Sequence, residues 1–330
     1  MERLEKHYIH HILQALLESP DFQGYENLDT SVLQLPPPVH ELPCGPDHAV
    51  HQHMLKTVDI EETSYEGNDK VIAEWYCQLG ISDKASSKEL SMETLLVWIG
   101  DQLTVERIWG LQRYHYEDLN SFDHMDYILP QFGWFHLVMV FANSLHKQYL
   151  GMSASIGSLQ QAFDVLQHKG LQKTETKGPF WAHIDEALQH IAEAHLHASW
   201  LAVAGVGSLQ ELMKRMPSEL FYLATRLYDE YASRRAVTCM GNIPEMKCDE
   251  VQLQWTMWNT DVLAYLELTS AIEAGDVGHM EDLLPTLLFC FAGGGNSKYT
   301  IEILELLQGL RCEWPEDVRL VAISVIKPRT

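Results

Sequence analysis

Asp101 follows a short apolar run, Thr94-Leu95-Leu96-Val97-Trp98-Ile99-Gly100, and so stands at the carboxyl end of an expected buried strand. Folds that carry out metal-dependent phosphoryl transfer place their first ligand at such a position. Two divalent ions about 3.5 to 4 Å apart need several converging acidic groups. Glu302 or Glu305, on the helix after a glycine-rich loop, could supply the last of them, so Asp101 and Glu302 are the candidate Mg²⁺ or Mn²⁺ ligands. A strand-end aspartate is also a common helix N-cap, here for the helix opening near Thr104, and the sequence by itself favours the cap.

Histidine is the other abundant chemistry, with 17 in the chain. Cys44, His48, His51 and His53 are zinc-type donors, but C-x3-H-x2-H-x-H in a proline-bounded loop fits no standard zinc spacing, so solvated histidines are expected. Glu186, His190, Glu193 and His197 form two Glu-x3-His pairs one heptad apart, a pattern that exposed i,i+4 contacts produce more often than a dinuclear site. In Gly293-Gly294-Gly295-Asn296-Ser297-Lys298-Tyr299 the glycine spacing is wrong for a phosphate loop, and no hydroxyl residue of the Ser/Thr type follows Lys298. A loop between two helices, capped by Asn296 or Ser297, is the simpler reading. The six cysteines, Cys44, Cys77, Cys239, Cys248, Cys290 and Cys312, contain no C-x-x-C pair and read mostly as buried free thiols.

The elements that would position these groups are mostly helical. Ile9, Ile12, Leu13, Leu16 and Leu17 mark a first helix, after which Leu35-Pro36-Pro37-Pro38-Val39 and Leu42-Pro43-Cys44-Gly45-Pro46 predict an extended arm. Residues 67–80 are helical, ending at Gly80. Thr94–Gly100 is the convincing strand, and Tyr127–Trp134 is a weaker second one that feeds a helix to Tyr149. From residue 157 onward helices are expected over 157–168, 180–204, 208–231, 251–274, 278–291 and 298–309. In the longest, Ala187, Ile191, Ala194, Trp200 and Leu201 form the buried stripe. No repeat period appears.

With 46 acidic against 23 basic residues the formal charge is −23, which disfavours nucleic acid, because that affinity rests on Lys and Arg. The 46% hydrophobic content is ample for a core. No stretch approaches the ~20 apolar residues of a membrane span, and the N-terminus lacks a signal-peptide pattern, so an intracellular protein is expected. A protein partner is compatible with segments such as Trp255-Thr256-Met257-Trp258.

Several segments together resemble a known family. They are Trp98-Ile99-Gly100-Asp101-Gln102-Leu103-Thr104-Val105-Glu106-Arg107, Phe132-Gly133-Trp134-Phe135-His136-Leu137, Ala142-Asn143-Ser144-Leu145-His146-Lys147-Gln148-Tyr149-Leu150-Gly151 and Gly293–Tyr299. Leu35–Val39, Thr63–Gly67 and Gly275–Asp282 extend the likeness over nearly the whole chain. The chain resembles the fungal domain-of-unknown-function family 6589, multicopy in mushroom-forming fungi. Within it Gly100, Asp101, Gln102, Leu103, Thr104, His136, His146, Lys147, Gly294, Asn296, Lys298 and Tyr299 are the motif positions. The resemblance implies descent from a mobile element with a ribonuclease-H-like core. In such a core Asp101 is the first ligand and Glu302 or Glu305 the last. Trp134 stands where distant relatives carry an acidic residue, which implies a catalytically degenerate copy that binds no cofactor. Relatives longer at both ends imply a truncated copy whose tail diverges after Val318.

The expected fold class is therefore α+β, predominantly helical, with a small sheet in residues 94–134. Three segments are expected: a helix and proline-rich arm over 1–66, a family core over 67–318, and a divergent tail over 319–330. A helical protein–protein interaction module is the alternative function.

Overall fold

The structure is a computed structural model that describes residues 2–49, 51–61, 63–152, 156–167, 171 and 180–324. Helices make up 69% of it, with one small parallel sheet, so the fold is predominantly helical α+β. In chain order the elements are α1 (Glu2–Leu17), α2 (Tyr65–Gln78), α3 (Lys84–Glu93), β1 (Leu96–Gly100), α4 (Gln102–Tyr114), α5 (Ser121–His124), β2 (Ile128–Phe132) and α6 (Trp134–Tyr149). They continue with α7 (Leu159–Val165), α8 (Phe180–Ala204), α9 (Pro217–Tyr231), α10 (Arg234–Gly241), α11 (Glu250–Ala274), α12 (Val277–Gly293), α13 (Ser297–Gln308) and α14 (Glu316–Ser324). None of the described helices is long and apolar enough to cross a membrane.

The chain forms two compact units, each assembled from distant segments. Unit 1 comprises residues 1–41 and 138–296, and unit 2 comprises 42–137 and 297–330. The expected 1–66 segment is shared between them, and residues 325–330 of the expected tail lie outside the described residues.

Unit 1 is a helical mass around the apolar face of α1. Ile9, Ile12, Leu13 and Leu16 pack with Leu196, Trp200, Leu220, Leu227 and Leu263. Trp200 is fully buried and donates its indole N–H to the Ile12 carbonyl at 3.0 Å, which satisfies the one polar atom of that ring. The stripe of α8 runs through Ile184, Ala187, Leu188, Ile191, Leu196 and Trp200, whereas Ala194 is exposed. The single helix expected over 208–231 is broken. A 3-10 turn spans Leu209–Lys214, Met216 is extended, and Pro217 opens α9 at its first position, where its missing N–H costs nothing. Residue 168 of the helix expected over 157–168 lies outside the described residues, and α7 covers its middle. The cysteines depart from expectation: Cys44, Cys77, Cys239 and Cys312 are exposed, and Cys248 and Cys290 half-buried.

The proline-rich arm is fastened to unit 1 by one carboxylate. Asp276 accepts the backbone N–H groups of Val39 and His40 at 2.8 and 2.9 Å, and caps α12 through the His279 N–H at 3.2 Å. Pro36, Pro37 and Pro38 have no N–H to donate, so the first donors after them, those of the extended Val39-His40 pair, find their partner across the fold rather than along the chain. Gly278 makes the approach possible. A Cβ there would lie 2.6 Å from Val39 Cγ1 and 2.8 Å from the His40 nitrogen.

Unit 2 holds the sheet. β1 and β2 pair in parallel, with Leu96 opposite Ile128 and Gly100 opposite Phe132. Pro130 is tolerated because each strand of a two-strand sheet keeps one free edge. Ile72, Tyr76, Ile108, Leu111, Tyr127 and Ile128 form the core, and Trp75 stacks on Trp98 at 5.5 Å.

Replacing Gly278 with alanine should destabilise the protein by about 1–3 kcal/mol through overpacking, read by urea unfolding. Adding Val39→Ala should recover part of that loss. Strict additivity of the two substitutions would show that the arm does not pack on α12.

Candidate functional site

The carboxyl ends of β1 and β2 lie side by side, joined beyond the last pair by Gly133 N–H donating to the Gly100 carbonyl at 2.8 Å. Asp101 and Trp134 follow directly. Asp101 is extended and accepts the Thr104 N–H at 2.8 Å, so it is the N-cap of α4. Burial pushes its carboxyl up, but the Thr104 backbone and hydroxyl, then His136 and Arg107, outweigh this and hold it below its ordinary value. Gln102 bonds Glu106 at 3.1 Å, and Lys298 pairs with the same Glu106 oxygen at 2.8 Å. Leu103 is exposed.

Beside this junction is a cavity of about 180 Å³. It runs along β2 from Ile128 to Phe132 and is closed by α4, α13 and the turn after it. Three indoles line it, Trp109, Trp134 and Trp314, with three carboxylates, Glu302, Glu305 and Glu313, and the amides of Gln112 and Gln131. Each wall has a local cause. Gln112 is held by donating to the Met125 and Ile128 carbonyls at 2.9 and 2.8 Å. Trp314 reaches the cavity because a π-turn over Gly309–Glu313 ends α13, and its indole lies where a Cβ on residue 309 would meet it at 2.3 Å. Only glycine fits beneath that ring.

Glu302 is the unusual member. It is 4% exposed, and among the described residues it forms no ion pair. Burial raises its carboxyl to about 7; a hydrogen bond with Gln102 opposes the rise, and the charges of Glu106 and Glu305 add to it. Tyr299 is pushed up to about 12 by burial and by the charges of Asp101 and Glu302, so both carboxylates act on one phenol. Glu305 is exposed at the rim.

The structure thus places Asp101, Glu302 and Glu305 around one end of unit 2 without gathering them into a metal-sized group. Among the described residues one group of three donors lies within 4.8 Å, and it is His7, Glu267 and His279 in unit 1. The remaining motif residues are structural neighbours. His136 is half-buried in the first turn of α6, and His146 is buried with Nε2 2.6 Å from the Leu171 carbonyl. Lys147 is exposed, and Asn296 donates to Ser144 at 2.5 Å beside Gly294. Cys44, His48, His51 and His53 are exposed, as are Glu186, His190 and Glu193, while His197 Nε2 donates to the Ala15 carbonyl at 2.7 Å rather than meeting a second pair.

Sequence reasoning missed Trp109, Gln131 and Trp314 as cavity walls and His7, Glu267 and His279 as a cluster. Glu267 carried a readable signal, being the lone charge in Val262-Leu263-Ala264-Tyr265-Leu266-Glu267-Leu268.

These features define a helical α+β protein whose small parallel sheet borders an acidic, tryptophan-lined cavity. The chain belongs to a Family of unknown function (DUF6589), whose model matches residues 1–325 and so runs past Val318. No curated protein and no solved structure matches it.

The raised carboxyl of Glu302 fixes a sign. Its folded value of about 7 exceeds the ordinary 4.5, so its contribution to stability is full below about pH 4.5 and is lost as pH rises through 7. Glu302→Gln should therefore gain on the order of 2 kcal/mol over wild type between pH 5 and pH 8, measured as the difference in urea-unfolding free energy. A flat difference across that range would contradict it. Asp101→Ala should cost about 1 kcal/mol, and Asp101→Asn almost nothing, because asparagine caps as well as aspartate does.

Proposed function

We propose that unit 2 binds a small organic cation, an amine that also carries a hydroxyl or carbonyl. The observation that supports this is Glu302, buried and, among the described residues, without an ion pair, at one cavity wall shared with three indoles. Indole faces and carboxylates attract weakly hydrated cations together, and a dry site strengthens both. Gln131 contributes a buried side-chain N–H with no partner, a donor suited to a ligand oxygen. The cavity volume suits a ligand of a few to about ten heavy atoms.

Tryptophan quenching and calorimetry test this reading with 4-aminobutan-1-ol, n-butylammonium and butan-1-ol. The amino-alcohol should bind tightest and butan-1-ol at least about tenfold more weakly. Binding should weaken from pH 8 to pH 6 as Glu302 takes up its proton, and Glu302→Gln should remove that pH dependence. Equal binding of the neutral alcohol would end the reading.

A second reading concerns descent. We infer that the strand ends of unit 2 derive from a ribonuclease-H-like core of a mobile element and no longer carry out its chemistry. The parallel neighbours β1 and β2, with Asp101 and Trp134 at adjacent ends, support this, as does Glu302 on a late helix. An indole at 134 offers a divalent ion no ligand. Both readings take the protein to be intracellular. Wild-type protein should then leave supercoiled plasmid intact with Mn²⁺; nicking that Asp101→Asn abolishes would overturn the loss of activity.

A further inference from the structure

Unit 1 carries a second polar centre, unrelated to the cavity of unit 2. Glu267 on α11 is 2% exposed and faces three imidazoles from two other helices. His279, in the first turn of α12, has Nδ1 2.5 Å from Glu267 Oε1. His7 of α1 has Nδ1 3.3 Å from the same oxygen, and its ring meets that of His279 edge-on with centroids 3.7 Å apart. His11, one turn after His7, places Nε2 2.8 Å from Glu267 Oε2.

We propose that His7, Glu267 and His279 form a site for one divalent transition metal, zinc by its donor set. Two imidazoles and a carboxylate are the donors of several three-ligand zinc centres. Bundle cores build such sites from facing helices, as α1, α11 and α12 do here. The size fits. Ligand atoms about 2.0–2.1 Å from a tetrahedral ion stand about 3.3 Å apart, and the His7–Glu267 separation is already 3.3 Å. The His279–Glu267 separation must open by under about 1 Å, a small side-chain rotation. His11 then holds the other oxygen of the ligating carboxylate, the supporting contact that metal-bound carboxylates characteristically have.

Charge is the independent argument. Glu267 and Asp276 are both buried, with Asp276 Oδ2 3.9 Å from His279 Nδ1. Among the described residues neither forms an ion pair with lysine or arginine. Asp276 is answered by three backbone N–H groups, so Glu267, with imidazoles around it, is the carboxylate whose charge a divalent ion would answer.

The test uses the full chain, stripped with a chelator and equilibrated with Zn²⁺, then separately with Co²⁺. One Zn²⁺ per chain should bind and raise the unfolding temperature, and Co²⁺ should give visible bands without a thiolate charge-transfer band. His7→Asn should weaken Zn²⁺ by roughly 100-fold or more, and Glu267→Gln likewise. The double variant Cys44→Ser with His51→Asn should bind as wild type does, since those residues lie in the exposed loop. Folded wild-type protein that takes up no Zn²⁺ overturns the proposal, as does binding lost from the loop variant but kept in His7→Asn. If the core variants fail to fold, the Co²⁺ spectrum of wild type decides: a thiolate band assigns the metal to the cysteines and ends the proposal.

Discussion

A buried carboxylate costs several kcal/mol unless its charge is answered, and among the described residues three are buried, Asp276, Glu267 and Glu302. Each is answered differently. Asp276 takes three backbone N–H groups, two from the arm and one from the start of α12, and those donors would otherwise be orphaned themselves. Glu267 is surrounded by imidazoles and is held below its ordinary value: burial opposes this, and the bonds from His11, His279 and His7 outweigh burial. Glu302 has only the Gln102 amide, and its carboxyl rises accordingly. The first arrangement is complete in the protein alone. The second answers Glu267 with imidazoles alone, and the third is complete only with a proton or a cation. That gradation, rather than the bare presence of acidic groups, separates a folding joint from a binding site.

The segments that carry the family likeness are largely such joints. Leu35–Val39 and Gly275–Asp282 meet through Asp276 and Gly278. The segment around Ser144 meets the glycine loop through Asn296. Gly100–Glu106 closes on Lys298 through one ion pair. Exposed ion pairs of that last kind contribute little, about 0–1 kcal/mol, so what these contacts supply is register. They fix where a helix begins against a distant loop. A motif read as chemistry in one dimension is in three dimensions a set of helix starts and the backbone they cap.

That distinction marks what was legible in the sequence. The strand before Asp101 was, because an apolar run of β-formers ending in Gly-Asp has few other readings, and so were the long amphipathic helices. The α3 helix was not, since Lys84–Glu93 buries no residue fully, packs only the half-buried Leu90 on the core and starts at the Asp83 capping box, which leaves no periodic stripe. The break before α9 was visible in Pro217 but masked by apolar residues continuing on both sides of it. Asp101 was weighed correctly as a cap. The cluster around Glu267 lay beyond reading, because its α1 histidines are distant in sequence from Glu267 and His279, His11 standing 256 residues before Glu267, and meet them only when α1 packs on α11 and α12. The cavity of unit 2 was equally hidden: its walls come from residues 109 to 134 and 302 to 314, and nothing in either stretch announces the other.

Position 134 decides which kind of cation unit 2 can take. A carboxylate there would stand at the end of β2 beside Asp101 at the end of β1, and two hard oxygen donors at adjacent strand ends suit Mg²⁺ or Mn²⁺. The indole removes that donor and supplies a polarisable face instead, 3% exposed and tilted against Phe132 at 5.7 Å. A small hydrated ion gains little from such a face, because it must shed water that the ring cannot replace. An alkylammonium, weakly hydrated and bulky, gains from the ring and from Glu302 at once. An indole at this position, which offers a divalent ion no ligand, therefore accords with the proposed binding of organic cations, for which Glu302 is the anionic wall of an aromatic site.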